Sequence, residues 1–576
     1  MTKLPKNNVH IKKLSRANRP AFFVTRLGWL GGLLCLCGLA IFLNIYSYET
    51  ITLKFAQWSG KTDRLDVLRN QYLTQSLFLS LRVLSLILVL IFALTYRWLH
   101  QVQVWLIHIC SLGLQLVLIP TQSFKNLSKN QKTALLIAFC LVTASRIYYY
   151  WLLPLQYDET FTYIHLVNKG LLVSATYYPG PNNHVLFSEI AAVLNQLLPS
   201  LLALRLPSLV GGLLLWFLLW EWFNTQTRFE WALILASLIL LTPTLSVYAV
   251  MGRGYSMQLL LALVGLRVVL ATQYLSIHRF AFVLSSVLGF YLVPTYLYIF
   301  VTLVVFKISQ VLLTKDRHSL KACLLDLVTV GLITSILYTP IILFNGLGAI
   351  IHNGWVQPLS FEQWIQLFPQ YLVELSQALW GDEAGLGIGI GFLVVLLISF
   401  FLKPHKYFGL LSLALLFIII SVQRVLPPAR TLQYLVLLYG WWIIQWLPKR
   451  TSQSKYSLVV TLALIAPLLF YGITTTYTLR QIAYTPNPHI EVAQKITSEN
   501  KPQKVLVTHD TYAVFLQYFN TQSGNKHQID IQQKKGVAYD WWIHSQKQLN
   551  TKQKLPTGTR LYLKNKEVMI HYDSKK

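Results

Sequence analysis

An adjacent pair of carboxylates, Asp158-Glu159, follows an apolar run that ends near Pro154. Two acids at a membrane edge are costly unless they are solvated, paired or used. The residues after them, 161–169, can form a short helix with Phe161, Ile164 and Val167 on one side. Free N–H groups at such a helix start favour a nearby anion, and an ionised Asp beside a hydroxyl is a usable general base. The plainer alternative is that Asp158 only caps the helix.

Two further groups carry chemistry. Tyr177-Tyr178-Pro179-Gly180-Pro181-Asn182-Asn183-His184 is a rigid polar loop, and its His184 suits a sugar hydroxyl, a metal ion or a helix cap. Arg146, Arg205, Arg253 and Arg430 stand at the ends of apolar runs. Guanidinium forks match phosphate oxygens, although Arg at a span end also commonly anchors a helix to lipid headgroups.

The elements that must position these groups are membrane helices. The chain has 576 residues, 54% of them hydrophobic and 12% charged, with a mean hydropathy of +0.49. A soluble domain carries roughly 25% charged residues, so a soluble globule, disorder and a coiled coil are excluded. Apolar runs fall at 27–46, 76–96, 102–120, 133–153, 185–199, 205–223, 231–250, 256–273, 280–306, 323–345, 386–402, 407–422, 431–447 and 457–478. The fold expected is a polytopic α-helical membrane protein of about 13 spans with a small C-terminal soluble α/β domain.

The net charge of +28 has a topological reading. Lys and Arg gather in the N-terminal tail, in the loops 307–321, 403–406 and 449–455, and near the C-terminus, a pattern of cytoplasmic loops for all but the last group. Nucleic acid is not an expected partner. Residues 1–26 read as a basic cytoplasmic tail, 27–480 as the multi-span domain with external loops 154–184 and 346–385, and 481–576 as an extracytoplasmic α/β domain. A cytoplasmic start and an external end require an odd number of spans, so one run must not cross. Either 102–120 or 185–199 could be the one that fails to cross, and the two choices put residues 154–184 on opposite sides. The family resemblance given below implies an external acidic pair, so 102–120 is read as lying in the interface and 185–199 as crossing. This reading leaves Arg253 on the cytoplasmic side, at odds with a shared site. Residues 361–380 read as an amphipathic surface helix kinked at Pro369. The five cysteines form no Cys-x-x-Cys pair, so neither a zinc ribbon nor a disulfide scaffold is expected.

At these residues the sequence resembles a known family. Arg146, Tyr157-Asp158-Glu159, Asn183-His184 and Leu204-Arg205-Leu206-Pro207-Ser208, in that order, are similar to the N-terminal signature of GT-C-class glycosyltransferases. The nearest likeness is to the protein O-mannosyltransferase and lipid A aminoarabinose transferase group. Met251-Gly252-Arg253-Gly254-Tyr255, Val293-Pro294-Thr295-Tyr296-Leu297-Tyr298 and Pro428-Ala429-Arg430-Thr431 also resemble later family segments. The chain departs from the pattern at Val185, where the family has Pro, and in its extra apolar runs before the acidic pair.

The resemblance implies an integral-membrane enzyme, in a bacterial plasma membrane, that moves a sugar from a polyprenyl-phosphate donor to an acceptor hydroxyl or phosphate on the non-cytoplasmic face. The acceptor would be a lipid, glycan or protein. Asp158 and Glu159 are the expected catalytic residues, in an inverting displacement with Asp158 as base. His184, Asn183, Tyr157, Arg205, Arg253 and Arg430 are the expected substrate contacts. No cofactor is certain. Asp158, Glu159, His184, Asp382 and Glu383 would supply enough ligands for a divalent ion if the fold gathers them. A transporter or flippase of a lipid-linked saccharide is the competing class, but it would place its ionisable residues mid-membrane at broken helices.

Overall fold

The computed structural model describes residues 19–60, 62–98, 109, 111–115, 123–271, 275–314, 317–351, 357–381, 387, 390, 407–448, 472–473, 475–477, 479–485, 487–534, 536–545, 559–564 and 568–573. Most of residues 1–26, most of the runs 102–120 and 386–402, the pair Asp382-Glu383 and the basic loops 403–406 and 449–455 lie outside them.

The chain is mainly helical. Among the described residues five helices are long and apolar enough to cross a membrane: Gln75–Leu94, Lys129–Leu152, Ser200–Asn224, Pro294–Leu312 and Ser319–Asn345. The principal helices are α1 (Arg19–Ile45), α2 (Gln75–Leu94), α3 (Lys129–Leu152), α4 (Tyr157–His165), α5 (Val185–Leu194), α6 (Ser200–Asn224), α7 (Phe229–Leu240) and α8 (Pro243–Tyr248). They continue as α9 (Tyr255–Val269), α10 (Ser276–Leu292), α11 (Leu297–Thr314), α12 (Arg317–Asn345), α13 (Phe361–Trp380), α14 (Tyr407–Gln423) and α15 (Tyr434–Ile444).

Local sequence explains the breaks that shape the site. Ser128 and Gln131 form a capping box that starts α3, and Pro154 forces the preceding residue Leu153 out of helical geometry. Pro243 opens α8 after a break at Thr242. The break leaves the Leu240 carbonyl without a helical partner, and the Arg146 guanidinium (2.5 Å) and the Ser246 hydroxyl (3.1 Å) both donate to it. Ser360 and Gln363 cap α13, which ends at Gly381 with a φ of 101°.

The main core is a cluster of buried rings and aliphatics from α6, α7, α9, α10, α11, α13 and α15, including Trp216, Trp220, Phe223, Phe282 and Trp442. Leu79, Val83, Leu86 and Leu90 of α2 are each more than half exposed, as suits side chains that meet lipid rather than protein.

Two of the apolar runs are divided differently from the expected spans. The run 185–199 yields only the ten residues of α5, about 15 Å of helix against an apolar layer of about 30 Å. The run 280–306 is not one span but a hairpin. Val293 is extended before Pro294, and Phe282 and Phe290 of α10 stack back onto Phe300 of α11. Residues 251–254 lie at the end of the bundle that holds Asp158, since Gly252 and Arg253 bond to Glu159, Thr162 and Asn182.

Residues 488–573 contain α16 (Pro488–Thr497), α17 (Asp510–Gln522) and a five-stranded sheet: β1 (Lys504–Val507), β2 (Gln528–Asp530), β3 (Trp541–Ser545), β4 (Thr559–Lys564) and β5 (Val568–Asp573). The order is β2-β1-β3-β5-β4. The β1–β2 and β1–β3 pairs are parallel, and β3–β5 and β4–β5 are antiparallel. This unit shares a core with the helical part. Tyr163, Ile164 and Val167 after the acidic pair, and Leu204 of α6, pack with Val505, Phe515, Leu516 and Ile543.

Candidate active site

The two members of the acidic pair have different fates. Glu159 is fully buried. Its Oε1 accepts from Arg205 Nε (2.8 Å) and from the Gly252 main-chain N–H (2.6 Å). Its Oε2 accepts from Arg205 Nη2 (2.8 Å) and from the Gln156 main-chain N–H (3.0 Å), the helix-start bond of α4. Glu159, not Asp158, thus closes the capping box. The half-buried Asp158 carboxylate makes no hydrogen bond or ion pair among the described residues.

Arg205 is correspondingly committed. Its remaining donors go to the carbonyls of Tyr150 (2.7 Å), Leu153 (3.0 Å) and Pro154 (3.2 Å). All five N–H groups are engaged, so the expectation that it grips a substrate phosphate is corrected. Arg205 ties the end of α3 to the start of α4. Asn183 is fully buried: its amide donates to the carbonyls of Ser174 (3.0 Å) and Tyr177 (2.9 Å), and its Oδ1 accepts from Ser188 (2.8 Å), so both of its N–H groups hold the loop rather than a ligand.

Arg253 belongs to this end of the bundle. Its Nη1 donates to Thr162 Oγ1 (3.0 Å) and to the Asn182 carbonyl (2.8 Å), and its Nη2 lies 3.1 Å from His184 Nε2. Ser208 Oγ donates to the Arg253 carbonyl at 2.6 Å and pins the segment to α6. Two glycines let the backbone come so close. A Cβ on Gly252 would lie 2.5 Å from Leu204 Cγ, and one on Gly254 would lie 2.9 Å from His184 Nδ1.

The Gly254 amide donates to His184 Nδ1 (3.1 Å), so the neutral ring carries its proton on Nε2, facing Arg253. Burial, then the charges of Arg253 and Arg430, hold His184 well below the ordinary imidazole range. With Arg253 Nε buried and also without a partner among the described residues, this corner has more donors than acceptors. An anionic oxygen nearby would be welcome there.

Arg430 and Tyr248 complete the site. Tyr248 stacks edge-on against Tyr255 at 4.6 Å, and Tyr255 against His184 at 4.6 Å. Arg430 is half-exposed and lines the same cavity as Tyr248. Burial opposes its charge, but Tyr255, Tyr248 and Asp158 outweigh burial and hold its pKa above the ordinary guanidinium value. Arg430 lines a cavity of about 360 Å³ whose other walls include Pro243, Val247, Tyr248, Ala378 and Pro428. The sequence reading missed Tyr248 and gave Tyr255 no role. Tyr255 lies inside a quoted motif, but Tyr248 ends an apolar run with no signal of its own.

Tyr157 is half-buried at the start of α4, next to Asp158. The expected apolar side of this helix is revised: Ile164 and Val167 are buried, whereas Phe161 is half-exposed on another face. Among the described residues the expected ligands do not come together as a metal set. Glu159 has both oxygens engaged, each His184 nitrogen faces an N–H group, and Asp382-Glu383 lie outside the described residues. Among the described residues no three His, Cys, Asp or Glu side chains converge.

No protein-family model matches the chain, and no curated protein matches it. Among solved structures it is similar to a crystal structure of ArnT from Cupriavidus metallidurans in the apo state. Identity is 13%, coverage is 77% of this chain and 98% of that one, and the TM-score is 0.49.

Proposed function

We propose that the chain is an integral-membrane glycosyltransferase that takes its sugar from a polyprenyl-phosphate donor and passes it to an acceptor hydroxyl, with the site and the C-terminal unit on the non-cytoplasmic face. The observation that carries the reading is the contrast within the acidic pair. Glu159 is engaged on every side, while Asp158, one residue away, keeps a free carboxylate close enough to Arg430 and Tyr248 to influence both.

In this reading Arg430 meets the donor phosphate at the mouth of the cavity, and the apolar wall beyond it takes the start of the isoprenoid. Arg253 sets a positive field behind it. Asp158 accepts the proton of the acceptor hydroxyl as its oxygen forms a bond to the anomeric carbon. The bond from that carbon to the phosphate oxygen breaks, and the electron pair leaves on the polyprenyl phosphate, where Arg430 donates to it. Attack opposite the leaving group inverts the anomeric centre. The phosphate is a good leaving group, so positioning and charge stabilisation carry the rate. Glu159 acts by fixing Arg205 and the Gly252 amide, and so the backbone on which Asp158 stands.

The test compares lipid extracts of cells with the wild-type protein, with Asp158→Asn and without the protein. Loss of Asp158 should leave the protein folded in the membrane, cause a sugar-phosphoprenol to accumulate and remove a glycoconjugate, as deletion does. Full transfer by Asp158→Asn would remove it from the mechanism.

A further inference from the structure

The sheet of the C-terminal unit has two unlike faces. Val505 and Val507 of β1, Trp541 and Ile543 of β3, and Val568 and Ile570 of β5 alternate onto one face and share the core with α4 and α17. The residues between them, Leu506, Trp542, His544, Met569 and His571, stand on the other face. Leu506 and Trp542 pack there with Tyr539.

Strands β3 and β5 run antiparallel, and their register gathers three of these side chains. His544 lies directly opposite Met569, and Trp542 lies opposite His571. His544 and His571 are thus diagonal neighbours on one face, with Met569 beside both. Directly opposed side chains have Cβ atoms about 5 Å apart and diagonal ones about 7 Å. Two imidazoles and a thioether at that spacing can close on one atom between them.

The state of His544 points to such an atom. It is 2% exposed. Both its ring nitrogens are buried without a hydrogen-bond partner among the described residues, as is Nδ1 of His571. A neutral imidazole has one N–H to donate and one lone pair to offer, and buried polar atoms nearly always find partners.

Ligand softness selects the ion. Asp530, opposite Leu506 on the same face, is already taken by Lys534 (2.6 Å), Gln528 (2.8 Å) and Tyr539 (3.0 Å). The last cysteine of the chain is Cys323, so the unit offers no thiol. Two imidazoles and a thioether beside a buried indole suit the soft Cu(I) ion better than Zn(II) or a hard, oxygen-seeking cation.

We propose that His544, His571 and Met569 form a Cu(I) site in the C-terminal unit that fastens β3 to β5. It lies on the sheet face opposite the one that packs with α4, so it is separate from the transfer site and does not depend on the transferase reading.

The test uses the full-length protein in detergent with Cys35→Ser and Cys37→Ser, which removes the Cys-x-Cys pair of α1 as a rival site. Cu(I) is titrated anaerobically, with ascorbate, against bicinchoninate as a coloured competitor. A single equivalent should bind, and the melting temperature should rise with Cu(I) but not with the same concentration of Zn(II). Met569→Leu conserves volume, and His544→Leu replaces an unbonded buried ring by an apolar side chain, so both variants should fold. Each should weaken Cu(I) binding more than about tenfold, since even the outer partners of a metal site are worth about 10- to 100-fold. Each should also lose the rise in melting temperature. The proposal is overturned if no Cu(I) binds in competition, if Zn(II) raises the melting temperature as much, or if either variant binds Cu(I) as tightly as its parent.

Discussion

The main-chain N–H of Gly252 donates to Oε1 of Glu159 at 2.6 Å, across 93 residues of sequence. No side chain fits at that approach, because a Cβ on Gly252 would sit 2.5 Å from Leu204 Cγ. Gly252→Ala should lower stability by about 1–3 kcal/mol, the usual cost of forcing one carbon into a packed site. By pushing the backbone off Glu159 it should also cut sugar transfer more than tenfold. Thermal melts and transfer assays on the purified protein would check both, and an unchanged melt would contradict the packing argument.

The Glu159–Arg205 pair lies in the dry interior of the same site. Removing one partner strands the other as an uncompensated buried charge, which typically costs about 3–5 kcal/mol. Glu159→Gln should therefore be strongly destabilised. The double variant Glu159→Gln with Arg205→Met should regain part of the lost melting temperature, because no charge is left unpaired, yet remain inactive because Asp158 has lost its mount. A double variant no more stable than the single would count against this account.

The acidic pair was visible in the sequence because acids are scarce, with eleven of the 21 between residues 70 and 481. What the sequence did not reveal is which member is free. Asp158 and Glu159 share one local environment, and the groups that tell them apart lie 46 and 93 residues away. The apolar runs were equally visible, but their division depended on local geometry. The hairpin at Val293-Pro294 was hidden inside a mainly apolar run of 27 residues, and the brevity of α5 was hidden by the apolar Leu197 and Leu198 beyond its end. The span count from the runs alone put Arg253 away from the acidic pair, whereas its bonds place it beside Thr162 and Asn182. The packing of α17 on α4 had no local signal, since it joins segments more than 300 residues apart.

Arg430 offers a direct test of the phosphate side. A hydrogen bond to a charged group is worth about 1.5–3 kcal/mol, so Arg430→Gln should weaken binding of a polyprenyl phosphate roughly 10- to 150-fold. Arg430→Lys should restore only part of this, because an ammonium keeps the charge but loses the planar fork that meets phosphate oxygens. Titration of the purified protein with the lipid, read by intrinsic fluorescence, would show it. Equal affinity in all three proteins would move the phosphate elsewhere.

His184 should make stability depend on pH in a defined direction. Its pKa is depressed in the folded chain by burial and by Arg253 and Arg430, whereas the unfolded chain binds a proton near pH 6.5. Between those two values the unfolded state holds more protons, so stability rises with pH. The contribution is complete above about pH 6.5 and declines as the pH falls toward the folded value. Melting temperatures measured downward from neutral pH should fall, and His184→Gln should flatten that part of the profile. A profile with the same slope in the variant would assign the acid sensitivity to other groups.

The revised division of the helices makes a topological prediction. If α5 does not cross and α10–α11 is a hairpin, then residues 172, 197 and 253 share one side of the membrane, and residues 226 and 272 lie on the other. Phosphatase and fluorescent-protein fusions after each of these positions would read the sides independently of any activity. The physical reason is length: α5 spans about 15 Å, and its polar flanks, His184 before it and Asn195-Gln196 after it, would have to enter the apolar layer to bridge about 30 Å. A fusion at 197 reporting the side opposite to 172 would restore the crossing. It would also separate Arg253 from Asp158, which the bonds from Arg253 to Asn182 and Thr162 forbid.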